Sequence, residues 1–493
     1  MKKEQIAEII LIISILLLGA FLRLYLIRDY LTFLGDEGRD VLVIKNIIVD
    51  HKFTLLGPTA SVGGFFLGPI YYYFMIPFLW LFRFDPVGPA IMVALFNIAA
   101  IFLVYRVGKD FFDAKAGLIA ALFYSVSPVV ITYSRSSWNP NLVPFFTLLI
   151  IYLSRYIVVN NKWNKLFLLG LLFGISFQLH YLVSFLAIAI ALYILYFGRL
   201  SKTKYYFLGI LGFIIGLSPF LLFEVRHGFP NTISLFNFIF HGKEVGIAQS
   251  NLFFNISDVS LRLFNRLVAY NNAYLGIFLL VFSVFFLFFC FYKHRSDQNV
   301  IKTHLLLIIW GVVGIILFGF YKKAIYDYYL GFLFPLPFLL SGHFLSHVSA
   351  KPIGKIFTLI LIAVVFIINW QGRPFRYPPN KQLDQTITIS RAVLAKTDNK
   401  TFNFALITGQ NSDHAYRYFF EIWGHKPQTI ENLQIDPQRK SVTSQLLIVC
   451  EKVDCQPLGN SLWEVAGFGR AEIAGSWNVS VVKVYKLIHY QGK

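Results

Sequence analysis

Two adjacent carboxylates, Asp36 and Glu37, stand where the chain first leaves a long apolar run, in Leu34-Gly35-Asp36-Glu37-Gly38-Arg39-Asp40. Two chemistries suit such a pair. One is helix capping, since acids are favoured in the first turn of a helix. The other is general-base work, in which an ionised carboxylate within hydrogen-bond reach takes a proton from a hydroxyl. The next stretch, Val41 to Asp50, has apolar residues at 41, 44, 47 and 48. That period predicts an amphipathic helix lying on a membrane surface. The acid pair then starts this helix at headgroup level, within reach of an acceptor hydroxyl and a lipid-borne leaving group. A departing phosphate needs cations and donors aimed at it. The chain places several on the same side: Arg135, Arg226 with His227, Lys322 with Lys323, and Tyr326, Tyr328 and Tyr329.

The elements that must hold these residues are membrane helices. Of 493 residues, 57% are hydrophobic, 18% aromatic and only 14% charged. Soluble domains carry about 25% charge, so a soluble enzyme and a disordered chain are both excluded. Lys and Arg outnumber Asp and Glu by 44 to 25, a net +19. Such a balance suggests nucleic acid when it lies on a polar surface. Here it lies between apolar runs, and the partner is a bilayer.

A crossing takes about 20 apolar residues. The runs 6–27, 87–105, 116–133, 140–158, 205–223, 274–292, 304–320, 328–347 and 354–370 qualify. The run 165–197 is too long for one helix and is broken by Gln178 and His180, which predicts two spans with a turn near His180. The total is about eleven. The run 66–84 is ambiguous, with Gly68-Pro69, tyrosines at 71–73 and Pro77. Charge decides it. Six short loops, from the N-terminus to Lys351 and Lys355, hold 16 Lys and Arg, and the alternate short loops hold three. Basic loops face the cytoplasm. All six fall on one side only if 66–84 does not cross, so it is expected to be an interfacial or re-entrant helix on the outer face.

The expected fold class is an all-α polytopic membrane domain with outer amphipathic juxtamembrane helices and a C-terminal α/β extracytoplasmic domain. The boundaries are 1–370 and 371–493, with 28–86 and 224–273 as large outer segments. The N-terminus is expected in the cytoplasm and 6–27 is expected to be an anchor rather than a removed signal. The tail reads as a helix near 382–396, a strand at 402–408, a helix at 413–423, and strands at 444–450 and 477–488. Cys450 and Cys455 fall in this outer part, where a local disulfide is open to them. Cys290 reads as inert packing, and no Cys/His run has zinc spacing.

The ordered set of motifs resembles the membrane glycosyltransferases of the C-type fold. It is most similar to the protein O-mannosyltransferase-like family (glycosyltransferase family 39) and the bacterial aminoarabinose transferases. Asp36-Glu37 matches their acidic motif after the first span. Leu67-Gly68-Pro69-Ile70-Tyr71-Tyr72-Tyr73 resembles their proline-led tyrosine helix. Arg106 to Phe112, Ser127-Pro128 to Arg135, Ser218-Pro219-Phe220 with Glu224-Val225-Arg226, and Lys322-Lys323 to Tyr329 follow in order, so that the resemblance covers about 6–370. The chain departs from the pattern at Leu67-Gly68, where aminoarabinose transferases have a Lys, and at Trp138-Asn139-Pro140, where relatives often have an Asp before the Pro.

The resemblance implies an integral membrane transferase of the plasma membrane. It would move a sugar, mannose or a related one, from a polyprenyl-phosphate donor to a hydroxyl on a glycan, lipid or protein at the outer face. Asp36 is the expected general base, with inversion at the sugar carbon, and Glu37 orients the acceptor or Asp36. Arg226, Lys322, Lys323, Tyr328 and Tyr329 are expected to bind the donor, with Arg135, Asn139, His180, Tyr181, Tyr71 and Tyr72 as further binding candidates. No cofactor is called for, a divalent metal stays open, and no nucleic acid is expected. Each binding candidate has a plainer alternative. Lys322-Lys323 serve equally as a snorkelling anchor, Arg135 as a headgroup contact, and Arg226 as the partner of Glu224. Tyr71, Tyr72 and Trp138 suit an aromatic belt, and His180-Tyr181 a simple turn. A transporter or flippase is disfavoured by the scarcity of charge in the spans and the lack of duplicated halves. A glycan polymerase or ligase is disfavoured by the acidic motif after the first span.

Overall fold

The computed structural model describes residues 3–60, 64–240, 251–452 and 454–492. Lys2 of the first basic segment and 241–250 of the second large outer segment lie outside them. Among the described residues, seven helices are long and apolar enough to cross a bilayer: Lys3–Leu24, Val87–Phe111, Asn139–Val159, Thr203–His227, Ala273–Lys293, Gln298–Gly319 and Pro352–Trp370. The number rises to nine if two bent pairs each form one crossing. Both pairs bend at a proline, which lacks an N–H for the helix ladder. Ala114–Val126 meets Pro128–Ser134 at 64°, and Asp327–Leu333 meets Pro335–Val348 at 53°.

The run 165–197 divides at its polar break into Leu166–Leu179 and Val183–Gly198, of 14 and 16 residues. Each is short for a straight crossing, so length and composition do not by themselves reach eleven. Helix Ile70–Leu81 has 12 residues with Pro77 inside it, too few to cross.

The chain divides into two compact units. The first comprises Met1–Tyr25, Thr54–Met75 and Pro89–Pro378. Its tightest helix pair is Leu166–Leu179 with Thr203–His227. A Cβ at Gly170 would lie 1.9 Å from the Gly209 carbonyl oxygen, and one at Gly212 would lie 2.0 Å from that of Phe167. Small residues four apart let backbones approach where lipid gives no hydrophobic drive. A fully buried arginine, Arg23, is satisfied inside this unit. It donates to Gly19 O (3.2 Å), Ser125 O (3.0 Å) and Ser134 Oγ (3.2 Å), as an intramembrane charge requires.

The second unit comprises Leu26–Phe53, Ile76–Gly88 and Pro379–Lys493. The tail therefore shares a unit with two pieces that lie more than 290 residues earlier in the chain. Its sheet has strands β1 (Asn403–Ile407), β2 (Gln445–Cys450), β3 (Ala471–Val479) and β4 (Val482–His489) in the order β1-β2-β4-β3. β1 and β2 are parallel, and the other pairings are antiparallel. β1 and β2 are buried throughout, which explains their unbroken apolar sequence. One face carries Ile389 and Val393 of helix Gln382–Ala395 and Tyr416 and Phe420 of helix His414–Ile422. The other carries Val465 and Phe468.

The single strand expected over 477–488 is a hairpin, β3 and β4 pairing from Val479 opposite Val482. It turns on Ser480, at φ 53°, and Val481. No glycine marks this turn, so the alternation reads straight through it. Cys450 and Cys455 are disulfide-bonded, and Cys290 is a buried free thiol.

Candidate active site

The acid motif opens helix Gly35–Asp50. Its N-cap is Leu34, whose side chain has no acceptor, and the capping falls to Glu37, whose Oε2 accepts the Leu34 N–H at 3.1 Å. Asp36 caps nothing. Its side chain is 66% exposed and its Oδ1 takes a 3.0 Å contact from Arg39 Nη1. Arg39 also holds the buried Asp40, through Nη2 at 2.8 Å. Burial pushes the Glu37 carboxyl up to about 7, with Asp40 and Asp36 adding to the rise against the pull of the Leu34 N–H. The two acids are thus unlike: one is a half-buried cap that gains a proton near neutrality, the other an exposed carboxylate braced by an arginine.

This helix was expected to lie on a membrane. In the second unit its inner face meets protein instead, namely helix His414–Ile422. A Cβ at Gly38 would be 2.3 Å from Ala415 N, and one at Gly35 would be 2.0 Å from Ser412 Oγ. Only glycine permits that approach. The apolar residues Val41, Ile44 and Ile47 are buried, and Lys45 reaches Glu421 at 3.5 Å. The helix start is held from the tail as well. Asn411 Oδ1 accepts the Gly35 N–H at 2.9 Å, and Asn411 is fixed in turn by Glu451 (3.1 Å). Phe33 N donates to Gln382 Oε1 at 2.9 Å, and Arg28 joins Asp85 and Asp384. Asn411, Glu451 and Arg28 carry no motif, and no signal in the sequence marks them.

In the first unit, five expected site residues line one cleft. Asn139, His180, Tyr181, Tyr328 and Tyr329, together with Trp138, surround a narrow cavity of about 20 Å³. His180 occupies the break between Leu166–Leu179 and Val183–Gly198. Its ring stacks on Tyr181 (centroids 5.1 Å, 14° between planes) and lies 5.5 Å from Tyr329. Asn139 Nδ2 donates to Leu179 O at 2.6 Å, and Trp138 packs against Tyr328 at 4.4 Å. The tyrosine pair is anchored just upstream by Asp327, which Arg266 meets at 2.6 Å and Arg262 at 3.5 Å. Arg262 also donates to Ile325 O at 2.7 Å. Sequence reading missed Asp327, Arg262 and Arg266, although an acid directly before Tyr328-Tyr329 was a visible signal. Beside helix Leu252–Asn265, residues Leu263, Val284, Phe288, Leu307 and Leu340 help line an apolar groove of about 660 Å³.

The other candidates lie elsewhere. Arg135 is buried and donates to Leu22 O, Arg23 O and Tyr25 O at 2.9–3.0 Å. It closes the end of helix Lys3–Leu24, where carbonyls lack intrahelical partners. Tyr71 and Tyr72 are buried rather than belt residues, and the Tyr71 hydroxyl bonds Ser137 Oγ at 2.8 Å. Arg226 is exposed in the last turn of Thr203–His227. Glu224, the alternative partner for it, is buried and accepts from Asn231 and Thr232 at 2.7–3.2 Å. Glu224 thereby caps helix Pro230–Phe240. Lys322 is exposed and Lys323 half-buried in the segment before Asp327, and neither lines the cleft.

A family model described as dolichyl-phosphate-mannose-protein mannosyltransferase matches residues 67–223. Among solved structures, the chain is similar to ArnT from Cupriavidus metallidurans in the apo state, with 12% identity, 98% of each chain covered and a TM-score of 0.66. ArnT bound to undecaprenyl phosphate gives 13%, 97% of each chain and 0.65. The oligosaccharyltransferase AglB from Archaeoglobus fulgidus, in complex with an inhibitory peptide and a dolichol-phosphate, gives 13% and 0.56, over 91% of this chain and 70% of that one. No curated protein sequence matches significantly. The fold is that of the C-type membrane glycosyltransferases, as the motif set implied, and the chain is a multi-pass membrane protein.

Proposed function

We propose that this protein transfers a sugar from a polyprenyl-phosphate donor to an acceptor hydroxyl at the outer face of the plasma membrane. The observation that carries this is the asymmetry of the acid pair in a chain of this fold. Glu37 spends an oxygen on the helix cap, whereas Asp36 presents an exposed carboxylate fixed by Arg39. Asp36 is therefore the general base and Glu37 a positioning residue. Asp36 takes the acceptor proton, the acceptor oxygen attacks the sugar carbon, and the bond to the carrier phosphate breaks with inversion. Phosphate leaves without protonation, so one base suffices, unlike the carboxyl pair of glycosidases.

Asn139, His180, Tyr181, Tyr328 and Tyr329 offer ring faces and donors to the donor sugar. The apolar groove suits prenyl units, and Arg226, Lys322 and Lys323 remain the cations offered to the phosphate. The family match favours a hexose such as mannose. Comparing membrane lipids and surface glycans with and without the gene by mass spectrometry names both substrates. An accumulating polyprenyl-phosphate sugar identifies the donor, and the missing modification identifies the acceptor. In purified protein, Asp36→Asn lowers turnover at least ~100-fold, the low end for a lost general base, with unchanged thermal unfolding. Full activity in that variant overturns the assignment.

A further inference from the structure

Three potential metal ligands that are far apart in sequence meet inside the first unit. Cys290 of helix Ala273–Lys293, His304 of Gln298–Gly319 and His343 of Pro335–Val348 each bring one ligand atom within 4.8 Å of the other two. Cys290 is 3% exposed, His304 4% and His343 9%. The Nε2 atoms of both histidines are buried without a hydrogen-bond partner. Two orphaned imidazole nitrogens in an apolar interior are costly, and intramembrane polar clusters are functional by default.

His304 is also oriented for ligation. Its Nδ1 lies 2.9 Å from Val300 O, so Nδ1 carries the proton and Nε2 keeps its lone pair. This is the second-shell arrangement that metal-bound histidines use. Phe112 stacks on His343 with centroids 4.0 Å apart and meets His304 edge-on, walling the cluster from water.

We propose that Cys290, His304 and His343 bind one thiophilic d10 cation, Zn²⁺ or Cu⁺, which clasps the three helices together. Sulfur and imidazole select these ions over Mg²⁺ and Ca²⁺. Cys290 loses its proton on binding. One thiolate with two neutral imidazoles cancels the charge of Cu⁺, whereas Zn²⁺ leaves a net positive charge and an open fourth position. The clasp is separate from the acid motif and from the aromatic cleft, and it does not depend on the proposed transfer reaction.

The test uses the full chain in detergent, stripped by chelator and then given Zn²⁺ or Cu⁺ separately. Elemental analysis is expected to find about one ion per chain, and X-ray absorption one sulfur near ~2.3 Å with nitrogens near ~2.0 Å. The ion present in protein as purified, and the tighter of the two, identifies the cation. Binding raises the thermal unfolding midpoint. Cys290→Ser and His343→Ala bind at least ~10-fold more weakly, while His425→Ala, an exposed histidine in the tail, binds as wild type. If a variant fails to fold, the sulfur shell in the wild-type protein still decides. No stoichiometric uptake, or an ion without sulfur in its shell, overturns the proposal.

Discussion

At the residue scale, Asp36 and Glu37 show how neighbours of like chemistry are assigned different work. Their types and their place after the first apolar run were plain in the sequence, and so was the start of a helix. Which acid caps that helix was not, because it depends on the 3.1 Å approach of Glu37 to Leu34 N–H. The raised Glu37 value has a consequence for stability. Its folded value of about 7 lies above the unfolded one near 4.5, so the folded chain holds an extra proton between them. Its contribution is fully present below the unfolded value and is lost as pH rises through 7. Raising pH from 5 to 8 should therefore lower the unfolding midpoint of wild type more than that of Glu37→Gln, whose amide oxygen still accepts from Leu34. Parallel falls in the two proteins would sink this account. Arg135 is the opposite lesson. Its charge was visible, but its carbonyl partners are more than 100 residues away, and no local pattern reveals them.

At the scale of elements, periodicity located the helices well and misjudged what covers them. The stripe at 41, 44 and 47 has the spacing of a surface helix, and the second unit covers it with helix His414–Ile422. Gly35 and Gly38 look like loop residues in the sequence and act as contact points. Gly38→Ala places a Cβ against the Ala415 backbone, which has no side chain to swing away. A cost of about 1–3 kcal/mol is expected, read as a lower unfolding midpoint and faster proteolysis of the tail. Asn411→Ala removes the acceptor of the Gly35 N–H and costs about 1 kcal/mol. It should lower turnover as well, because the acid motif loses its brace. Unchanged turnover would show that the brace does not matter to catalysis. The β3–β4 hairpin was missed for want of a turn residue. The two short helices at 166–179 and 183–198 were found because Gln178 and His180 interrupt an otherwise uniform run.

At the scale of the whole molecule, charge predicts the orientation. Sixteen basic residues in six loops predict a cytoplasmic N-terminus and an outer tail. Single cysteines placed in the 293–302 loop and in the tail, in a chain without its native cysteines, test this directly. An impermeant thiol reagent applied to intact cells should label the tail site and spare the loop site. The reverse pattern would invert the topology. What the linear sequence hid is that the acid motif and the tail belong to one unit. The Asn411–Gly35 bond joins residues 376 apart in the chain. Helix Gly35–Asp50 leaves the ribosome long before its brace is made. On the proposed mechanism, a fragment that stops before Asn411 lacks the hydrogen bond that holds the start of the acid motif, so translation must run 376 residues past Gly35 before the site is complete.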